Sequence, residues 1–152
     1  MIDQRNNAAD VRRVLFLCTH NSARSQMAEG LLQHLGGKRF QVESAGTEAA
    51  RVRPEAVAVM LERGIDINHH TSKTLDRFVG QDPPFDKVIT VCDSAAQACP
   101  VFPGAKEQLH WPYPDPAGVT GDETTRLNAF RQVRDALEER ITRWLESQIK
   151  RA

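Results

Sequence analysis

Short apolar runs alternate along this chain with longer segments in which apolar residues recur every three or four positions. Residues 11–17 are apolar apart from two arginines near the start, and they predict a buried strand running into a loop at Cys18. Over residues 25–35, Met27, Leu31 and Leu35 repeat every four positions with Ala28 and Leu32 beside them. That is the period of an amphipathic helix, and Gly36-Gly37 would end it. Residues 40–44 predict a second strand, turned by Ala45-Gly46. Pro54 suits the first turn of another helix, with Val57, Met60 and Leu61 as its apolar stripe and Gly64 at its close. Ser72 is placed to cap a short helix reaching Phe78, and residues 80–84 predict a loop. Residues 85–91 form a third predicted strand, ending at Cys92, and residues 108–111 a fourth. Three prolines between Pro112 and Pro116 remove donors and restrict their neighbours, which excludes regular structure there. Residues 123–149 predict a final helix. Leu127, Phe130, Val133, Leu137, Ile141 and Leu145 line its inner face, and Arg131, Arg134, Asp135, Glu138 and Glu139 lie on a solvated outer face.

Strands alternating with helices predict an α/β fold: one three-layer domain with a central four-stranded parallel sheet flanked by helices. In such sheets ligands bind beyond the carboxyl ends of the strands, where Cys18 and Cys92 both fall. The length of 152 residues fits one core, with residues 1–11 as a flexible tail and residues 12–152 as the domain. Twenty basic residues balance twenty acidic ones, which excludes a general nucleic-acid binder but not a local anion site. The apolar runs are too short for a membrane span, and the polar start lacks a signal core. The expectation is a cytoplasmic monomer without membrane partners. Three cysteines and no secretion signal argue against a structural disulfide framework.

Cys18-Thr19-His20-Asn21-Ser22-Ala23-Arg24 carries the strongest chemistry. Cys-x5-Arg alone occurs by chance; between a buried strand and an amphipathic helix it becomes specific. Five intervening residues can curl their N–H groups toward one centre, and the following helix adds its partial positive end. Arg24 can hold two oxygens of a tetrahedral oxyanion. The same field favours thiolate at Cys18, a nucleophile aimed at the central atom, and Ser25 is placed to donate to the sulfur. Thr19, His20, Asn21, Ser22, Ala23 and Arg24 are therefore the expected oxyanion ligands. Asp115, between two prolines, is either a turn residue or a general acid. Cys92 and Cys99 are either a redox pair or part of a zinc site, but Cys-x6-Cys is a poor zinc pattern, and neither a metal nor another cofactor is expected. The intervening residues suit a helix, which would hold the two thiols about 10.5 Å apart along its axis, beyond the roughly 7 Å a disulfide tolerates between Cα atoms. A Cys92–Cys99 bridge would therefore require that segment to change from helix when reduced to loop when oxidised.

Residues 14–29, VLFLCTHNSARSQMAE, resemble the active-site start of the low-molecular-weight tyrosine phosphatase superfamily, and more narrowly the arsenate reductases built on that fold. Ser44-Ala45-Gly46, His70-Thr71-Ser72, Asp115-Pro116-Ala117 and the last helix follow in the family's order. The resemblance implies that Cys18 attacks arsenate, for which phosphate or sulfate would be analogues, while Asp115 assists loss of the leaving oxygen. Cys92 would then attack the adduct, releasing arsenite and leaving a Cys18–Cys92 disulfide. Cys99 would move the bridge to Cys92–Cys99, for reduction by thioredoxin. Glutaredoxin or a low-molecular-weight thiol is the other donor considered. Some relatives hold potassium with residues matching Asn21, Glu29, Ser44 and an acidic position; here the last is Lys73, which is either an exposed lysine or a replacement for the cation that pairs with Glu29. Ala23 stands where many relatives have cysteine, so the loop cannot close a disulfide on itself. Two other readings share the loop: a phosphatase acting through a phosphocysteine, and a non-catalytic anion or redox sensor. The cysteine pair, and Ala117 where tyrosine phosphatases of this fold tend to carry tyrosine, favour the reductase.

Overall fold

The computed structural model describes residues 11–93 and 101–151. Within them lie strands β1 (Arg12–Cys18), β2 (Phe40–Gly46), β3 (Lys87–Thr90) and β4 (Glu107–His110), and helices α1 (Arg24–Gly36), α2 (Pro54–Leu61) and α3 (Glu123–Arg151). The four strands form one parallel sheet in the order β2-β1-β3-β4, the expected α/β architecture. β1 is central, and Val14, Leu15, Phe16 and Leu17 are fully buried. Alternation sends Val14, Phe16 and Cys18 to one face and Leu15 and Leu17 to the other. Burial of each such apolar side chain contributes about 1.5–3 kcal/mol.

The first face is the larger core. Met27, Ala28, Leu31 and Leu32 of α1 pack there with Val59 and Met60 of α2 and with Phe130, Val133, Leu137, Ile141 and Leu145 of α3. The opposite face is covered, among the described residues, by Phe78, Phe85 and Phe102, whose rings meet edge to face.

Three local expectations change. The buried stripe of α2 is Ala56, Val59 and Met60, and Leu61 is exposed. Gly64 does close this helix, at φ 74°, donating its N–H to Leu61 O. Ser72 does not cap a helix: a 3-10 turn over Leu75–Arg77 begins after Thr74, and the Ser72 hydroxyl is used elsewhere. Arg134, expected on the solvated face of α3, is only 4% exposed. Its guanidinium donates to Val59 O, Glu62 and Asp135. The end of α2 leaves carbonyls without helical partners, and α3 packs against that end, so an arginine there meets acceptors instead of water. Glu62 also accepts from Arg131, and the two guanidiniums hold its carboxyl down at about 2.

Glu62→Gln should therefore lower the denaturant midpoint at neutral pH. The folded carboxyl titrates below its ordinary value of 4.5, so the Glu62 contribution is complete above pH 4.5 and disappears as pH falls toward 2. Unfolding curves of the two proteins should converge across that window; a gap independent of pH would contradict the assignment.

Candidate active site

β1 carries Cys18 to the carboxyl edge of the sheet, and α1 begins six residues later at Arg24. The carbonyls between them all face outward. Thr19 O accepts from Glu48 N and the Thr47 hydroxyl, and His20 O accepts from the Ser72 hydroxyl. Asn21 O accepts from Gln26 Nε2, Ser22 O from Arg53 N and Ala23 O from Met27 N. Backbone carbonyls tied to surrounding structure leave amides to turn toward the opposite, concave side, the geometry of an anion nest. Ala23, at the start of α1, makes no side-chain cap to the helix, so its first N–H groups are not taken by a side chain of that residue.

Asn21 is the hub of the loop. Its φ of 51° lies in the left-handed region, which asparagine tolerates better than most side chains. Its Nδ2 donates to Ser25 Oγ at 2.8 Å and Ser44 Oγ at 2.9 Å, and its Oδ1 accepts from Gln26 Nε2 and Lys73 N. Gly46 permits this crowding, since a Cβ there would stand 2.6 Å from Thr19 O and 2.8 Å from Asn21 N. These contacts were not foreseen from sequence; Ser44-Ala45-Gly46 was the visible signal.

Cys18 is 2% exposed, and its thiol is free. Its Sγ lies 2.8 Å from Ser25 Oγ and accepts from Asn21 N–H at 3.3 Å. Arg24, also buried, donates to Tyr113 O and places Nη2 3.8 Å from Asp115 Oδ2. Asp115 stands at the start of a 3-10 turn, Pro116–Gly118, and Oδ1 accepts from Ala117 N. The proline-flanked loop thus brings a partly exposed carboxyl beside the arginine, about a hundred residues from the thiol in sequence and adjacent to its loop in space. A thiol, an arginine and a carboxyl around a nest of amides can bind a tetrahedral oxyanion, attack it and protonate a leaving oxygen.

Behind the loop, Ser44 Oγ donates to Glu29 at 2.5 Å, and His70 Nδ1 meets Gln26 Oε1 at 3.0 Å. Burial raises the Glu29 carboxyl above its usual range, opposed by the Ser44 hydrogen bond. Burial, reinforced by His69 and Lys73, lowers His70 to about 4. His70 is therefore neutral at pH 7, and its 3.9 Å approach to Glu29 is not a contact between two full charges. The Lys73 ammonium donates to Thr71 O.

Leu17 is in register with Thr90, and Val91 N–H continues the pairing by donating to Leu17 O at 2.8 Å. Cys18 and Cys92 are thus near neighbours across adjacent strand ends, which lie about 4.8 Å apart in a sheet. Cys92 is fully buried and disulfide-bonded, and since Cys18 is free the bond does not join these two. Cys99 and the expected helix-to-loop segment lie outside the described residues.

Residues 13–152 match the family of low molecular weight phosphotyrosine protein phosphatases. An arsenate reductase from Halalkalibacterium halodurans is 45% identical over 134 residues, which is 88% of this chain and 95% of that protein. Among solved structures, an arsenate reductase in its phosphate-binding state superposes with a TM-score of 0.72 at 34% identity, covering 90% of this chain and 98% of the other. A thioredoxin-dependent arsenate reductase from Corynebacterium glutamicum gives a TM-score of 0.67 at 29% identity, over 97% and 67% of the two chains. The chain belongs to the low molecular weight phosphotyrosine protein phosphatase family, together with the arsenate reductases built on that fold.

Proposed function

We propose that this protein is a cytoplasmic arsenate reductase. The observation that carries the reading is the second cysteine: Cys92 sits at the strand end beside that of Cys18 and is engaged in a disulfide, whereas ester hydrolysis needs only one thiol. The loop amides, Arg24 and the positive end of α1 bind arsenate and hold Cys18 as thiolate, with Ser25 and Asn21 donating to the sulfur. Cys18 attacks arsenic, and Asp115 protonates the departing oxygen. The Cys92 thiolate then attacks the Cys18 sulfur. An S–S bond forms, the S–As bond breaks with its electron pair left on arsenic, and arsenite departs. Cys99 attacks Cys92, frees Cys18 and forms the disulfide that an external dithiol reduces. Thioredoxin is the donor that fits, and one structural relative bears that dependence in its name. No helix of the described residues is long and apolar enough to cross a membrane.

The potassium site of some relatives does not fit these residues. Asn21 Oδ1 already accepts two hydrogen bonds, Ser44 donates to Glu29, and the position that would supply an acid is a lysine. Lys73 keeps its ammonium on Thr71 O instead of pairing closely with Glu29, yet its charge still lowers the Glu29 carboxyl.

Arsenate-dependent NADPH oxidation with thioredoxin and its reductase tests the whole scheme. Wild type should turn over, Cys18→Ser should be inactive, and Cys99→Ser should stop after one equivalent of arsenite. Turnover in Cys99→Ser would overturn the relay, and strong aryl-phosphate hydrolysis without arsenate turnover would make the protein a phosphatase. Asp115→Asn should slow turnover about 10²-fold or more at constant KM, the usual scale for loss of a general acid. Replacing sodium by potassium at constant ionic strength should leave KM and the thermal midpoint unchanged; a marked gain with potassium would refute the account of Lys73.

A further inference from the structure

His110 closes β4 at the carboxyl edge of the sheet, directly in register with Thr90. Their side chains meet, Thr90 Oγ1 to His110 Nδ1, at 2.6 Å, and the same hydroxyl lies 3.3 Å from Leu109 O. A carbonyl can only accept. Where Nδ1 donates to Thr90 Oγ1, that hydroxyl keeps its own proton for Leu109 O. In that tautomer the ring lone pair is on Nε2.

Strand alternation gives this base a direction. Val88 of β3 faces the second core, Thr90 is two residues further on, and Cys92 two further again. On β4, Gln108 Oε1 accepts from the backbone of Phe102, a member of that same core, and His110 is two residues beyond Gln108. Thr90 and His110 thus lie on one side of the sheet at its carboxyl edge, and Cys92 follows just past the end of β3. Cys92 follows Thr90, the residue that His110 touches, by two positions in the chain. The surrounding ionisable groups are Asp93, next in sequence to Cys92; Glu107, paired with Lys87; and Asp115, beside Arg24.

We propose that His110, oriented by Thr90, is the proton acceptor for the Cys92 thiol. The inference rests on the relay proposed above and concerns the reduced protein. Nε2 takes the thiol proton, and the resulting thiolate attacks the Cys18 sulfur of the arsenic adduct. The new S–S bond forms as the S–As electron pair passes to arsenic, and the imidazolium returns its proton to the departing arsenite or to water. Two cysteine sulfurs are oxidised by two electrons in total, and arsenic(V) becomes arsenic(III). When the external dithiol later reduces the Cys92 disulfide, the imidazole, reprotonated from water, can protonate the thiolate that leaves.

A protein with Cys18→Ser and Cys99→Ser retains Cys92 as its one thiol. Its alkylation by iodoacetamide between pH 5 and 9, followed by mass spectrometry, reports Cys92 ionisation without arsenate. Adding His110→Gln should move the inflection upward and slow alkylation at pH 7 about threefold or more, the effect of losing a nearby cation from a thiolate. Superimposable profiles at equal thermal midpoints would overturn the proposal. Should the glutamine variant fold poorly, the His110 imidazole can be titrated by NMR in the reduced parent and in the same protein with Cys92→Ser. A lower midpoint in the serine protein supports the coupling, and identical curves refute it. Neither measurement contains arsenate, so a failure of arsenate turnover and a failure of the His110 assignment remain separable.

Discussion

The outward satisfaction of the carbonyls between Cys18 and Arg24 is the constraint on which the site depends. A curled loop with its amides turned inward is unstable by itself, because like dipoles converge. Here the opposite poles are bound: Glu48 and Arg53 supply backbone donors, and Ser72 and Gln26 supply side chains. Those donors come from three stretches of chain: α1, the loop between β2 and α2, and the segment at Ser72. The fold around β1 and α1 must therefore form before the loop has its shape, and the catalytic geometry is a property of the whole domain.

Asn21 joins this scaffold to the thiol. One amide group spans Ser25, which touches Cys18, and Ser44, which touches Glu29. Polarity thus passes from a buried carboxyl to the sulfur through hydroxyls that can each donate and accept. His70 and Glu29, whose carboxyl burial raises above its usual range, sit at the far end of this chain of contacts. At the rim, the Lys73 ammonium donates to Thr71 O.

Much of this was legible in the sequence because period and punctuation agree. β1, α1, β2 and α3 were bounded by apolar repeats, Gly36-Gly37, Gly46 and the proline run. Cys18, Arg24 and Asp115 stood out because each occupies a strand end or a rigid loop that chemistry would use. The failures share one cause. The surroundings of Leu61, Ser72 and Arg134 come from other elements, which neighbours in sequence do not reveal. Arg134 meets the end of α2, and Ser72 meets the loop at His20. The 2.6 Å contact between Thr90 and His110 was equally invisible, since it depends on the β3–β4 register.

A cradle tied from behind has already lost its conformational entropy on folding, so a tetrahedral anion enters without having to organise it. That economy has a cost in selectivity. Phosphate and arsenate share shape, charge and protonation, so a cradle of amides and an arginine distinguishes them weakly. One arsenate reductase of this fold is solved in its phosphate-binding state. Discrimination must then come after binding, from the readiness of one central atom to accept an electron pair. On this view phosphate and arsenate compete for one cradle, and the chemistry after binding separates them.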